Sequence, residues 1–217
     1  MDAEIIKKGM DMTKSMGEFL APFIEGSLTQ VTGMVEDKLK YMRWERQVRF
    51  IERSNEKMKM LGITEVEKPL PLKFAIPIFQ GASLEENDNL QDLWSNLLIN
   101  SVANKKIEIK RVYMDILERI SPLEATIIQK VYTFSFKENQ HIGLATNCLP
   151  EYVYIYERNR KEDNKVPDLD NEDVELALMN LSRIGCISPT KSIGGGELFS
   201  MINMTLLGYK FYESCTL

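Results

Sequence analysis

A seam of mostly apolar residues at heptad spacing most constrains what this 217-residue chain can fold into. Its members alternate at spacings of three and four residues: Tyr41, Trp44, Val48, Ile51, Asn55 and Met58. This is the a/d pattern of a helix that packs along another helix, and a buried Asn at such a position can fix the register of the pair. We therefore predict that this heptad seam mediates self-association or docks on a partner protein.

The heptad seam belongs to a predicted helical arm that covers residues 1–63. A second apolar stripe precedes it at similar spacings, and its members are Ile24, Leu28, Val31, Val35, Leu39 and Met42. The stripe shifts between the two sets, so the helix must bend or rotate its contact face. Residues 19–42 are also amphipathic, which would suit a helix that lies at a membrane interface.

Basic residues flank the heptad seam. Between positions 36 and 61 the chain has eight basic residues and five acidic ones. The candidates for contact with an anion are Arg43, Arg46, Arg49, Arg53 and Lys57. The favoured interpretation is a solvated flank in which these residues pair with Glu45, Glu52 and Glu56 at helical spacings. Contact with a nucleic acid or an anionic membrane is the alternative.

Beyond the arm, the pattern predicts a mainly α chain in three further parts. Residues 64–135 form a helical core, residues 136–170 a variable connector, and residues 171–217 a winged-helix-like unit with a small β-hairpin. The core is predicted to contain four helices, over residues 72–80, 89–103, 112–120 and 122–134. The fourth begins at Ser121-Pro122-Leu123-Glu124, a capping box with Pro at the first helical position.

The C-terminal part shows the order helix, hairpin, helix. Asn171 or Asp170 can cap a helix that Gly185 ends, and Thr205 can cap the last helix. Two strands, predicted over 186–190 and 198–205, flank a glycine-rich turn. A winged helix usually suggests DNA binding through its recognition helix. Here that helix would begin with Glu172, Asp173 and Glu175, which repel phosphates. A protein contact or a packing role is therefore favoured for this helix.

The composition leaves little room for enzyme chemistry. His141 is the only histidine, which excludes metal sites that need several histidines from one chain. Glu108 and Lys110, with Asp88 or Asp92 upstream, imitate the carboxylate and lysine pattern of metal-dependent nucleases, but they fall in a predicted loop between helices. We predict no enzymatic activity, no cofactor and no metal, and a nuclease stays a remote alternative.

The chain is predicted to be cytoplasmic. Its first residues include acidic side chains and lack the apolar core of a secretion signal. No stretch approaches the roughly 18 apolar residues that a membrane span needs. The three cysteines, Cys148, Cys186 and Cys215, are widely spaced and form no CxxC pair, as expected for reduced thiols.

Several segments resemble the signature of the Abi-alpha (abortive infection alpha) family. They are GASLEENDNLQDLWSNLL at 81–98, YMDILERISPLEA at 113–125, LSRIG at 181–185 and TLLGYKF at 205–211. The resemblance covers about residues 65–217. It implies a bacterial or phage protein connected with abortive infection, in which an infected cell stops supporting phage growth. It brings no catalytic residues to this sequence.

These observations favour a non-enzymatic interaction or effector protein of phage–host conflict that acts through protein–protein contacts. We expect a homo-oligomer formed through the helical arm, and a protein partner. Two alternatives stay open. One is a nucleic-acid-binding regulator that uses the basic arm and the winged helix, and the other is an effector that acts at a membrane interface.

Overall fold

The computed structural model describes residues 38–63, 70–103, 108–156 and 168–217. Within these ranges the chain is mainly helical, with eight helices and one four-stranded antiparallel sheet, which confirms the predicted fold class. The helices are α1 (Lys38–Met60), α2 (Leu72–Leu84), α3 (Asp88–Ala103), α4 (Arg111–Leu117), α5 (Pro122–Val131), α6 (Phe136–Asn139), α7 (Glu172–Arg183) and α8 (Leu206–Ser214). The strands are β1 (Leu144–Ala145), β2 (Tyr154–Ile155), β3 (Ile187–Lys191) and β4 (Glu197–Met204).

The described residues group into two compact units. The first contains the described residues up to Glu118 together with Ser214–Leu217, and the second contains the described residues between Arg119 and Glu213. The predicted division into arm, core, connector and C-terminal unit stays a prediction. Within the described residues, α1 is part of the first unit because it packs on α2 and α3. The apolar stripe at 24–42 lies outside the described residues, apart from its last members on α1.

The core of the first unit lies where α1 meets α2 and α3. Phe50 of α1 contacts Phe79 of α2 edge to face, with ring centroids 5.4 Å apart. Ser54 and Ser95 are fully buried and form a hydrogen bond of 2.9 Å between α1 and α3. Two small hydroxyl residues at this position let the helix backbones approach closely while each polar side chain keeps a partner.

Two further features complete the first unit. Gly81 of α2 lies under the indole of Trp94, and a Cβ at that position would be only 2.4 Å from the ring. The side chain of Asn100 donates hydrogen bonds to the carbonyls of Ser214 and Thr216, at 3.0 and 2.8 Å. Gly81 and Trp94, which both belong to the family-like segment, therefore have a direct packing role.

The second unit combines α5 and α7 with the sheet, whose strand order is β2-β1-β4-β3. The predicted capping box is confirmed, because Ser121 and Glu124 bond reciprocally to each other's backbone amides at the start of α5. Asn171 caps α7, and Gly185 follows its end at φ 78°. The predicted order of helix, hairpin and helix is present in α7, β3, β4 and α8. The identification of this unit as a winged helix stays a prediction.

The connector over 136–170 is more ordered than its sequence pattern suggests. It contains α6 and the strands β1 and β2, and β1 joins the sheet by pairing with β4. Tyr, Val and Ile, which alternate over 152–156, are residue types that favour strands, but strands of two residues are too short to show an alternating pattern. Residues 157–167 of this connector lie outside the described residues.

Tyr132, just after α5, is the polar centre of the second unit. Its buried hydroxyl donates to the carbonyl oxygen of Cys186 at 2.5 Å and accepts from the amide of Thr205 at 3.1 Å. Burial raises the pKa of Tyr132 to about 12, so the hydroxyl keeps its proton across the physiological range. Gly208 of α8 packs directly against this hydroxyl, and a Cβ there would be 2.1 Å from both Tyr132 Oη and the Cys186 carbonyl oxygen.

We expect Gly208→Ala to lower the free energy of unfolding by about 1–3 kcal/mol or more, because the new methyl group must displace buried backbone or the Tyr132 ring. Urea denaturation measures this change. Gly194→Ala is the matched control, since its nearest neighbour would be the Ser192 hydroxyl at 4.0 Å. The control should stay within about 0.5 kcal/mol of the wild type. Equal stability of the two variants would contradict the packing described for Gly208.

Candidate functional site

The heptad seam is occupied within the chain itself. Trp44, Ile51, Asn55 and Met58 are buried in the first unit, where α1 packs on α2 and α3. Val48 is half-buried, and the side chain of Tyr41 lies outside the described residues. The predicted helix partner is therefore supplied by the same chain. Self-association through this seam would require α1 to leave α2 and α3.

The basic residues of α1 form a ladder of contacts with the end of α2, the turn after it and α3. Arg46 pairs with Glu86, Arg53 Nη2 lies 2.9 Å from Asp88 Oδ1, and Lys57 Nζ lies 2.7 Å from Asp92 Oδ1. The remaining two contact neutral side chains: Arg43 Nε donates to Ser83 Oγ at 3.1 Å, and Arg49 Nε donates to Gln91 Oε1 at 2.9 Å. Arg49 also lies 3.4 Å from Asp88 Oδ1 through its Nη1. We call these contacts the ion ladder.

The ion ladder differs from the expected pairing with Glu45, Glu52 and Glu56 on the same helix. The reason is tertiary: the acidic start of α3 and the preceding turn lie beside the basic face of α1. The paired cations, Arg46, Arg49, Arg53 and Lys57, are only 16–38% exposed, whereas their carboxylate partners are 43–74% exposed. An incoming phosphate would first meet carboxylates, so this surface is poorly suited to binding nucleic acid.

Asp88 is shared between two cations of the ion ladder, Arg49 and Arg53. A hydrogen bond from Arg53 and the charges of Arg49 and Arg53 hold its pKa below the ordinary value. Because the Asp88 side chain is 66% exposed, water and salt weaken these interactions. The lowered pKa in the folded state means that the contribution to stability is present above the ordinary pKa and is lost as the pH falls through the lowered value.

The second surface is the outer face of α7. Val174, Ala177, Leu178 and Leu181 are buried on the inner face, which packs on β3 and β4. The opposite side of the helix carries Glu172, Leu176, Met179 and Arg183, at helical spacings of four, three and four. Leu176 is 63% exposed and Met179 is 46% exposed. We call these four residues the outer stripe of α7.

The two ends of the outer stripe carry opposite charge. Within the described residues, Glu172 and its neighbour Asp173 are exposed and form no ion pair. An open cleft of about 850 Å³ beside them is lined largely by carboxylates, including Asp168 and Asp170. At the other end, Arg183 donates from Nη2 to Asn180 Oδ1 at 2.6 Å and remains exposed. The sequence predicts the acidic start of this helix, but it does not show that Leu176 and Met179 are exposed.

The residues considered for catalysis occupy different local settings. Glu108 and Lys110 are exposed in the loop before α4, while Asp88 and Asp92 contact α1 in the ion ladder. His141 is exposed in the turn that follows α6. In the described parts of the chain, no group of three or more His, Cys, Asp or Glu side chains could hold a metal ion. No helix among those parts is long and apolar enough to cross a membrane.

We expect Asp88→Asn to destabilise the protein at neutral pH and to lose this disadvantage in acid, where the wild-type carboxylate is protonated as well. Thermal unfolding at several pH values measures the difference. Glu197→Gln removes the same charge outside the ion ladder, at an exposed residue at the start of β4, and should show little effect at any pH. A difference between Asp88→Asn and wild type that persists unchanged in acid would contradict the ionic origin of the contact.

Comparison with known proteins supports the family resemblance and extends it. The family model described as abortive infection alpha matches residues 45–215, which includes most of α1 as well as the segment from 65 onward. No curated protein and no solved structure matches the chain. Because this match covers most of the sequence, the chain belongs to the abortive infection alpha family.

Proposed function

We propose that this protein is a non-enzymatic effector of phage–host conflict that acts through protein–protein contacts made by the outer stripe of α7. The observation that carries the proposal is the exposure of Leu176 and Met179 on the face opposite the buried stripe. An isolated exposed apolar residue is ordinary, but two at i, i+3 between charged ends form a contact surface of the kind that proteins bind. Membership of the abortive infection alpha family gives this contact its biological setting.

The charge distribution supports a protein contact over the alternative of a nucleic-acid-binding regulator. The first turn of α7 carries Glu172, Asp173 and Glu175, which repel a phosphate backbone. The basic residues of α1 already contact groups of the same chain through the ion ladder. Both elements that the alternative needs are thus poorly suited to phosphates.

The alternative of a membrane-interface effector depends on residues 19–42, most of which lie outside the described residues. Pelleting with vesicles that contain anionic lipid would support it. The proposed location is the cytoplasm, which agrees with three free thiols at Cys148, Cys186 and Cys215. Burial raises the pKa of Cys186 to about 12, so that thiol is poorly suited to act as a nucleophile.

We expect the double variant Leu176→Ser and Met179→Ser to abolish protection against phage while leaving the fold intact, because both side chains lie outside the core. The assay compares growth and plaque formation in bacteria that express each variant, with and without phage challenge. The matched control is Leu72→Ser with Ile76→Ser on α2. Those residues are 64% and 42% exposed, against 63% and 46% for Leu176 and Met179.

Full protection by the α7 variant, at wild-type protein levels, would overturn the proposal. Loss of protection in both double variants would contradict the special role of the outer stripe. Glu108→Ala with Lys110→Ala tests the remote nuclease alternative, and we expect unchanged protection because both side chains are exposed in a loop.

A further inference from the structure

The outer stripe of α7 is complementary to itself when a second helix runs in the opposite direction. Its four positions are symmetric about a point midway between Ala177 and Leu178, because Leu176 and Met179 are equidistant from that point and so are Glu172 and Arg183. We propose that a second copy of this chain covers the outer stripe, with the two α7 helices antiparallel across a twofold axis. This proposal rests on the proposed function, in that the outer stripe is the protein-contact surface.

In this arrangement, apolar side chains meet at the centre and opposite charges meet at the two ends. With a rise of about 1.5 Å per residue, Glu172 and Arg183 are roughly 16 Å apart along the helix axis. In the antiparallel pair, Leu176 of one copy lies against Met179 of the other, twice. Glu172 of each copy then faces Arg183 of the other, so one twofold contact contains two equivalent ion pairs. This is the arrangement of an isologous interface.

The charged side chains at the two ends of the outer stripe, Glu172 and Arg183, are exposed to solvent. Glu172 is exposed and has no ion pair within the described residues. Arg183 is oriented by Asn180, whose amide nitrogen donates to the carbonyl of Arg119 at 3.1 Å and to Glu124 Oε1 at 2.5 Å. Asn180 thus ties the arginine to the start of α5 and limits the freedom that it would lose on binding.

Charge disfavours a parallel pair of α7 helices. It also favours a second copy of this chain as the molecule that covers the outer stripe. Parallel helices would bring the acidic first turns of two α7 helices together, at a cost from like-charge repulsion. A different partner protein would need a basic group, an apolar centre and an acidic group at matching spacings. The chain's own α7 already provides all three. The apolar centre holds only four side chains, so we expect weak association that depends on concentration, below the strength of a standard-size interface.

The experiment measures the mass of the full-length protein by sedimentation across the micromolar range. The wild type should show a reversible monomer–dimer equilibrium. Glu172→Lys alone and Arg183→Glu alone should each weaken dimerisation roughly tenfold or more, because each places like charges opposite one another at both ends. The variant that carries both changes should recover wild-type dimerisation, since the pairs are restored with reversed sign.

Glu197→Lys is the net-charge control for Glu172→Lys, because it makes the same charge change at an exposed residue at the start of β4. It should leave the equilibrium unchanged. Circular dichroism checks the fold of each variant. Both substitutions place a charge that interacts unfavourably with the helix dipole. The double variant should therefore have the least stable α7 of the three charge-reversal variants. Its recovery therefore cannot come from improved folding. A monomeric wild type at every concentration, or a double variant that fails to recover, would overturn the proposal.

The dimer and the proposed function can fail separately. A monomeric wild type whose protection is lost on Leu176→Ser with Met179→Ser would leave the proposed function standing and would assign the outer stripe to a different protein. A wild type that dimerises with the charge-reversal pattern, but whose protection survives those serine substitutions, would support the dimer and overturn the proposed function.

Discussion

The docking of α1 on α2 and α3 is the interaction on which the first unit depends. It buries Trp44, Phe50, Ile51 and Met58, and each large apolar side chain contributes about 1.5–3 kcal/mol when it leaves water. The exposed ion pairs beside them contribute less, because water and salt screen them. Apolar burial therefore supplies most of the attraction. The ion ladder sets the relative orientation of the helices. Its contacts from Arg49 to Gln91 and from Lys57 to Asn96 hold α1 and α3 parallel.

This docking also decides what the charges of the chain can do. A basic stripe on an isolated helix would attract any polyanion, but carboxylates from the turn before α3 and from α3 itself lie against it. Glu86 and Asp88 remain more exposed than the cations that they pair with. The ladder thus converts a local excess of positive charge into a surface whose outer edge is acidic. The same side chains that suggested an anion contact in sequence serve tertiary packing in the fold.

In the second unit, one helix performs two tasks on opposite faces. The inner face of α7 packs on the hairpin, and the buried hydroxyl of Tyr132 holds the backbone on either side of that hairpin through Cys186 and Thr205. A helix supported in this way can present Leu176 and Met179 to solvent without depending on them for its own stability. Asn180 connects the two tasks, because it bonds to the start of α5 and orients Arg183. The proposed contact surface is therefore rigidly supported.

The sequence by itself determined the local structure: the capping box at Ser121, the ends of α7 at Asn171 and Gly185, the amphipathic periodicity of α1 and the mainly helical class. These signals lie within a few residues and follow from backbone geometry and side-chain hydrogen bonds. It also carried the family-like segments with Gly81 and Trp94. Only the tertiary structure decided which surface covers the heptad seam, which carboxylates meet the basic residues, and which apolar residues of α7 stay exposed. Periodicity shows that a helix has an apolar face, but the identity of the surface that covers it depends on contacts between residues distant in sequence.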